Sequence, residues 1–173
     1  VGGREQAWTT NNDVFLVPLT GGKAVDLTVA NKAYDFDPTF SPDGRQLALT
    51  MMKRPGFEAD RARLAIMVMA TRKLRVVTEG WDHSVNGITW AHDGKTIYTT
   101  DDNVGNHSIF AIDTASGNVR LLADKGTNES PRPAGDRVVF AKDTLKMPSE
   151  LFTMRPDGSD VRQITHLNDA RVK

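Results

Sequence analysis

An all-β fold built from repeated four-stranded antiparallel units is what the sequence predicts, on three observations. Helical periodicity is nearly absent, and short β-rich runs alternate with Gly, Asn, Asp and Pro turns along the chain. One strand–turn–strand stretch, Thr39-Phe40-Ser41-Pro42-Asp43-Gly44-Arg45-Gln46-Leu47-Ala48-Leu49, returns in altered copies. A second kind of hairpin falls between those copies, so the two alternate at a near-constant period.

The first copy of the repeated stretch has the clearest turn chemistry. Pro42 presets φ, the Asp43 side chain can bond its own backbone, and Gly44 accepts a positive φ. Its second copy is Gly87-Ile88-Thr89-Trp90-Ala91-His92-Asp93-Gly94-Lys95-Thr96-Ile97-Tyr98, with His92 in place of the proline. A shortened third copy runs from Pro131 to Phe140 through Ala134-Gly135-Asp136.

The other hairpin occurs four times. Its strands are Val14–Val17 with Ala24–Thr28, Leu64–Val68 with Leu74–Thr78, Ser108–Ile112 with Val119–Ala123, and Leu151–Met154 with Val161–Thr165. The closing residues Thr28, Thr78, Ala123 and Thr165 are separated by 50, 45 and 42 residues. Four strands in such a period are the signature of a β-propeller blade. The expected units are an incomplete 1–28, then 29–78, 79–123 and 124–165, with 166–173 opening another. The chain is thus expected to be an arc of about three to four four-stranded antiparallel blades, a fragment of a larger β-propeller.

Composition narrows the function classes. With 39% hydrophobic and 25% charged residues the chain is globular, and 22 basic against 22 acidic residues give no field for nucleic acid or an anionic membrane. No apolar run reaches the roughly 18–20 residues of a spanning helix. Without cysteine there is no thiol nucleophile and no disulfide. His83, His92, His107 and His166 form no H-x-x-H or H-E-x-x-H pair, so no metal or other cofactor is expected. No G-x-S-x-G elbow is present. The Asp-Gly pairs at 43, 93 and 157 lack the spaced acids of a calcium loop and are turns.

If the strands of a blade run a to d from the axis outward, the tight a–b and c–d turns share one face. The b–c and d–a connections share the other, and these are expected to be long loops: 52–61, 101–107 and 142–148, with 31–35 and 79–83. Binding residues concentrate on loops held by a rigid scaffold. Within 52–61, Arg54, Phe57, Glu58, Asp60 and Arg61 combine both charges with an aromatic ring. Such a set is suited to clamping a charged peptide terminus or a partner surface; the same charges can instead pair locally to hold a long loop. Trp81, at a blade entry, is suited either to lining a pore or to filling the core.

The Ser-Pro-Asp-Gly-Arg hairpin in a blade of this length resembles the repeat of Tol-type propellers and of the prolyl oligopeptidase family of serine peptidases. Three stretches are sharper: Glu5-Gln6-Ala7-Trp8-Thr9-Thr10-Asn11-Asn12-Asp13-Val14-Phe15-Leu16-Val17-Pro18; Arg54-Pro55-Gly56-Phe57-Glu58-Ala59-Asp60-Arg61; and Pro148-Ser149-Glu150-Leu151-Phe152 with Asp157-Gly158-Ser159 and 162–168. They resemble the bacterial dipeptidyl-peptidase-five and acylaminoacyl-peptidase-like members of that family. The resemblance implies an N-terminal propeller followed by an α/β-hydrolase domain whose Ser-Asp-His triad lies outside this chain, so the chain alone is expected not to hydrolyse peptides. It implies that the propeller gates access and positions the N-terminus of a short peptide substrate. Family dipeptidyl peptidases hold that amine with acidic side chains, which puts Glu58 and Asp60 first, with Arg54, Phe57 and Trp81 as the other candidates. It also favours a periplasmic or secreted setting while leaving a cytoplasmic one open, and implies the hydrolase domain of the same parent as partner. The alternative is a Tol-type propeller that binds a protein and carries no enzymatic domain; a metal-dependent propeller lyase is disfavoured by the histidine spacing.

Overall fold

The computed structural model describes residues 9–170, all in strands, turns and loops. The Glu5–Trp8 end of the first family-like stretch and the last three residues of the expected next blade lie outside the described residues. The chain divides into two compact units, Val1–Ser84 and Val85–Lys173.

In the first unit, β1 (Phe15–Leu16) pairs antiparallel with β2 (Val25–Asp26). A four-stranded sheet follows in the order β3 (Asp35–Phe40), β4 (Gln46–Met51), β5 (Arg63–Val68), β6 (Lys73–Val76). Its middle strands are buried on both faces, which explains why Leu47-Ala48-Leu49 and Leu64-Ala65-Ile66-Met67 read as continuous apolar runs rather than alternating ones. Val14, Leu47, Leu49, Met51, Ala65 and Met67 pack as one cluster.

The second unit contains β7 (Asn86–Trp90), β8 (Thr96–Asn103), β9 (Asn106–Asp113) and β10 (Val119–Ala123), then β11 (Thr127–Ala134), β12 (Arg137–Thr144), β13 (Met147–Met154) and β14 (Arg162–Gln163). Each set of four is antiparallel in chain order, and one parallel pairing, Thr127 with His107, joins β11 to β9. Tyr98, Ile109, Ala111, Leu122, Val138, Phe140 and Met154 belong to its core.

The recurring stretch is scaffold. The Ser41 hydroxyl donates to Asp43 Oδ1 at 2.7 Å and accepts the Gln46 amide at 3.0 Å, Asp43 Oδ1 accepts the Arg45 amide at 3.0 Å, and Gly44 has φ +68°. In the second copy Asp93 Oδ1 takes the amides of Lys95 and Thr96 at 2.8 and 3.1 Å. The shortened third copy is a two-residue turn, Gly135-Asp136, between β11 and β12.

The closing threonines have one physical role. The hydroxyls of Thr28, Thr78 and Thr165 accept the amides of Val14, Leu64 and Leu151 at 2.9, 2.9 and 2.8 Å, each across 14 residues. Each bond satisfies the amide of the residue just before the first one paired with the closing strand, where the main-chain ladder to that strand stops. In the remaining repeat Ala123 cannot do this, and the register there shifts between Leu121 and Ala123. Thr78→Val keeps the shape and removes the acceptor from the amide of the fully buried Leu64. It is expected to lower stability by about 1–2 kcal/mol, read from urea unfolding, because the Leu64 amide loses its partner. An unchanged midpoint would remove this role.

Two of the expected long connections are tight hairpins instead. Residues 101–107 continue β8 and β9 through Asn103-Val104-Gly105-Asn106, and 142–148 continue β12 and β13 through Thr144-Leu145-Lys146-Met147. Val104 and Gly105 both have positive φ, +47° and +79°, which matches the strand twist and lets a two-residue turn close. A β-branched residue at positive φ is uncommon, so the sequence lacks the usual Asn-Gly signal there. Arg72, standing where the outer hairpin usually has Gly, likewise adopts φ +57°. Among these b–c connections only 52–61 is a long loop.

Candidate functional site

Three of the five candidate residues are taken up inside the loop that carries them. Asp60 closes it: Oδ2 accepts the amides of Lys53 and Arg54, both at 2.8 Å, while Oδ1 receives Arg54 Nε at 3.0 Å and Nη2 at 2.8 Å. Partial burial opposes ionisation of Asp60, but the guanidinium and the amides outweigh it and hold its carboxyl well below the usual range. Arg54 also lies over the Phe57 ring, 4.1 Å from its centroid, so its exposed guanidinium links the ring to the largely covered Asp60 carboxylate.

The loop is tied at both ends. The Gly56 amide donates to Thr10 Oγ1 at 2.8 Å, and Gly56 has φ +77°. On the other side Glu79 receives Lys53 Nζ at 3.0 Å and Arg63 Nη1 at 2.6 Å, and Arg61 Nη2 reaches the Glu79 carbonyl at 2.8 Å. The hydrogen bonds from Lys53 and Arg63 pull the Glu79 carboxyl down to about 2. Trp81, half-buried in the next connection, stacks on His83 with ring centroids 5.1 Å apart and planes 27° apart.

Glu58 differs from all of these. Its side chain is exposed, and it has no hydrogen-bond or ion-pair partner among the described residues. It forms one wall of an open cleft of about 500 Å³, whose other walls include Thr10, Asn11, Asn12, Tyr34 and Met52. The cleft is assembled by pairing rather than by the loop alone. Asn12 bridges in parallel to Tyr34, its carbonyl accepts the Asp35 amide at 2.9 Å, and its Nδ2 donates to the Asp35 carbonyl at 2.8 Å. Tyr34 in turn accepts the Met52 amide at 2.9 Å and leans on Phe36, centroids 4.9 Å apart.

An unpaired carboxylate beside an aromatic face and side-chain amides can accept a protonated amine by charge, cation–π contact and hydrogen bonding. Sequence reasoning singled out Glu58 but not Asn11, Asn12 or Tyr34 as its companions. Tyr34 sat in a connection already marked as a loop, where an exposed aromatic was the available signal. Among the described residues no group of three or more His, Cys, Asp or Glu is placed to hold a metal ion.

The family-like stretches have counterparts in known proteins. The chain is 28% identical over 169 residues to dipeptidyl-peptidase 5 of Porphyromonas gingivalis, covering 97% of this chain and 25% of that protein. It is 32% identical over 130 residues to a probable dipeptidyl-peptidase 5 of Emericella nidulans, covering 71% of this chain and 18% of that one. The chain therefore spans a quarter or less of the length of these relatives. No family model matches.

Solved structures show the fold. The β-propeller domain of the trilobed protease from Pyrococcus furiosus superposes with a TM-score of 0.69 at 20% identity, over 91% of this chain and 44% of that one. The acylaminoacyl peptidase of Pyrococcus horikoshii gives 0.71 at 19%, over 91% and 23%. TolB of Acinetobacter baumannii gives 0.67 at 17%, over 92% and 39%. The expected all-β propeller architecture, present here as a part, is thus found. So is the expected resemblance to dipeptidyl-peptidase 5, since a relative of that name matches 97% of the chain and another 71%.

Proposed function

We propose that this chain serves as the propeller portion of a serine exopeptidase of dipeptidyl or acylaminoacyl type, and that its Glu58 cleft receives the protonated N-terminus of a short peptide. The match to dipeptidyl-peptidase 5 supports the first half, and the part of that relative beyond the match leaves room for a catalytic α/β-hydrolase domain. The observation that carries the second half is the Glu58 carboxylate, unpartnered among the described residues on the wall of a 500 Å³ cleft while the neighbouring acids Asp60 and Glu79 are paired. Arg54, Phe57 and Asp60 then act as the stiff rim that narrows the approach, with Trp81 as a further wall of the gate.

Glu58→Gln in the full-length protein tests this directly. Losing one charge-assisted contact to an ammonium is expected to raise KM for a free-amino dipeptidyl reporter roughly 10-fold or more, with kcat and the KM for an N-acylated reporter little changed. Equal effects on both reporters would remove Glu58 from amine recognition. Asp60→Asn, which loosens the loop, is expected to affect both.

A further inference from the structure

A small cleft lies in the Val85–Lys173 unit, on the side of the short a–b turns and away from the b–c hairpins. It measures about 220 Å³ and is lined by His92, Tyr98, Arg120, Pro133, Arg137 and Pro156, among others. Its floor is unusual. Tyr98 is 2% exposed and its ring belongs to the core, yet its hydroxyl makes no hydrogen bond among the described residues. Tyr98 lines the cleft together with Asp93 and Arg120; burial pushes its phenol up, with Asp93 adding to this and Arg120 opposing it. The hydroxyl keeps contact with solvent in the cleft, so an acceptor bound there can replace water as its partner.

The cations are unevenly satisfied. Arg137 is locked: Nε donates to Thr153 Oγ1 at 2.9 Å, Nη1 to Asp160 Oδ2 at 2.9 Å, and Nη2 to the Asp160 carbonyl at 2.6 Å. Asp160 is shared further with Arg162 at 2.8 Å and Arg155 at 3.8 Å, so three guanidiniums converge on one carboxylate. Asp93, the acid in the cleft wall, is occupied by the turn amides of Lys95 and Thr96. Arg120 is exposed and has no hydrogen bond or ion pair among the described residues. The unpaired Arg120 guanidinium and Tyr98 therefore line one small cleft, with Arg137 fixed beside them.

We propose that this cleft binds a carboxylate of the size of an acidic amino-acid side chain, with Arg120 as its bidentate partner and the Tyr98 hydroxyl as a second donor. Planar carboxylates match the guanidinium fork, and a cleft of this size suits a single side-chain carboxylate. Arg137 serves as fixed wall, its donors already committed. Neither half of this pairing involves Glu58 or its cleft.

The test is calorimetric titration of the full-length protein with N-acetylglutamate amide, its glutamine counterpart, glutarate and inorganic phosphate. The acidic amide is expected to bind and the neutral one not. Arg120→Gln is expected to weaken binding about 10-fold or more, and Tyr98→Phe, which keeps the ring in the core, about 3-fold. Glutarate binding more tightly than the amide would assign the site to a free dicarboxylate rather than a peptide side chain, overturning the peptide source. Phosphate binding equally well, no binding of the acidic amide, or binding indifferent to both substitutions would overturn the carboxylate site itself.

Discussion

Gly126→Ala is expected to destabilise the Val85–Lys173 unit by roughly 3 kcal/mol or more, the combined cost of a left-handed non-glycine residue and a backbone clash. Gly126 has φ +81°, and a Cβ built there would sit 2.3 Å from the Asp143 carbonyl oxygen and 3.0 Å from Thr144 Cγ2. The first neighbour is backbone, so it cannot rotate away as a flexible side chain would. Gly126 also holds the join between β9 and β11: its carbonyl accepts the His107 amide at 3.1 Å and its amide donates to Asn106 Oδ1 at 3.0 Å. Relieving the clash by moving Gly126 therefore breaks these bonds, and moving Asp143 disturbs the start of the β12–β13 hairpin. At a rough 2–4 °C per kcal/mol for a chain of this size, Tm falls by about 6–12 °C. Gly44→Ala is the control. Its φ is +68° but nothing lies within 4 Å of the added Cβ, so only the conformational strain of about 1 kcal/mol remains. Equal losses in the two variants would show that the close approach to Asp143 carries no energy.

This glycine also shows which parts of the molecule the sequence made legible. Features whose chemistry is local were readable: Asp43 and Asp93 bond amides two or three residues on, and the copies can be recognised without knowing what surrounds them. The threonine anchors were visible as a period because each acts across a fixed 14 residues, although what they do became clear only from the bonds. The tight b–c hairpins escaped. Asp101, Asp102 and His107 read as loop-like polar residues, and a valine at the first positive-φ position hides the turn. The Glu58 cleft was legible only as one residue, since it is built from segments around 10–12, 34, 52 and 58 that are joined by the Asn12–Tyr34 bridge. Likewise the Arg54–Asp60 pair and Glu58 were indistinguishable as charges in one loop until geometry separated the paired from the unpaired.

Asp35→Asn is expected to stabilise the Val1–Ser84 unit at neutral pH and to remove a pH dependence that the native protein shows. Asp35, the first residue of β3, is fully buried. Burial pushes its carboxyl up to about 6 and the charges of Asp13 and Asp26 add to this, against the opposing hydrogen bonds of Asn31 and Thr28. Asn31 Nδ2 donates to Oδ1 at 2.6 Å, and no cation is paired with the group among the described residues. An unfolded aspartate ionises near 3.8, so between about 4 and 6 the folded chain holds the proton that the unfolded chain has released. Stability from this residue is therefore greatest on the acid side, falls as pH rises through that interval, and is level above it. A shift of this size corresponds to a loss on the order of 2–3 kcal/mol at pH 7. The asparagine keeps the oxygen that Asn31 needs and replaces the other, unpartnered oxygen with an uncharged amide nitrogen. Urea unfolding of both proteins from pH 4 to 8 measures the effect, because other titrating groups cancel in the difference between them. The two curves should coincide near pH 4 and separate as the native protein weakens. Parallel curves over the whole interval would mean that Asp35 ionises in the folded chain as easily as in the unfolded one.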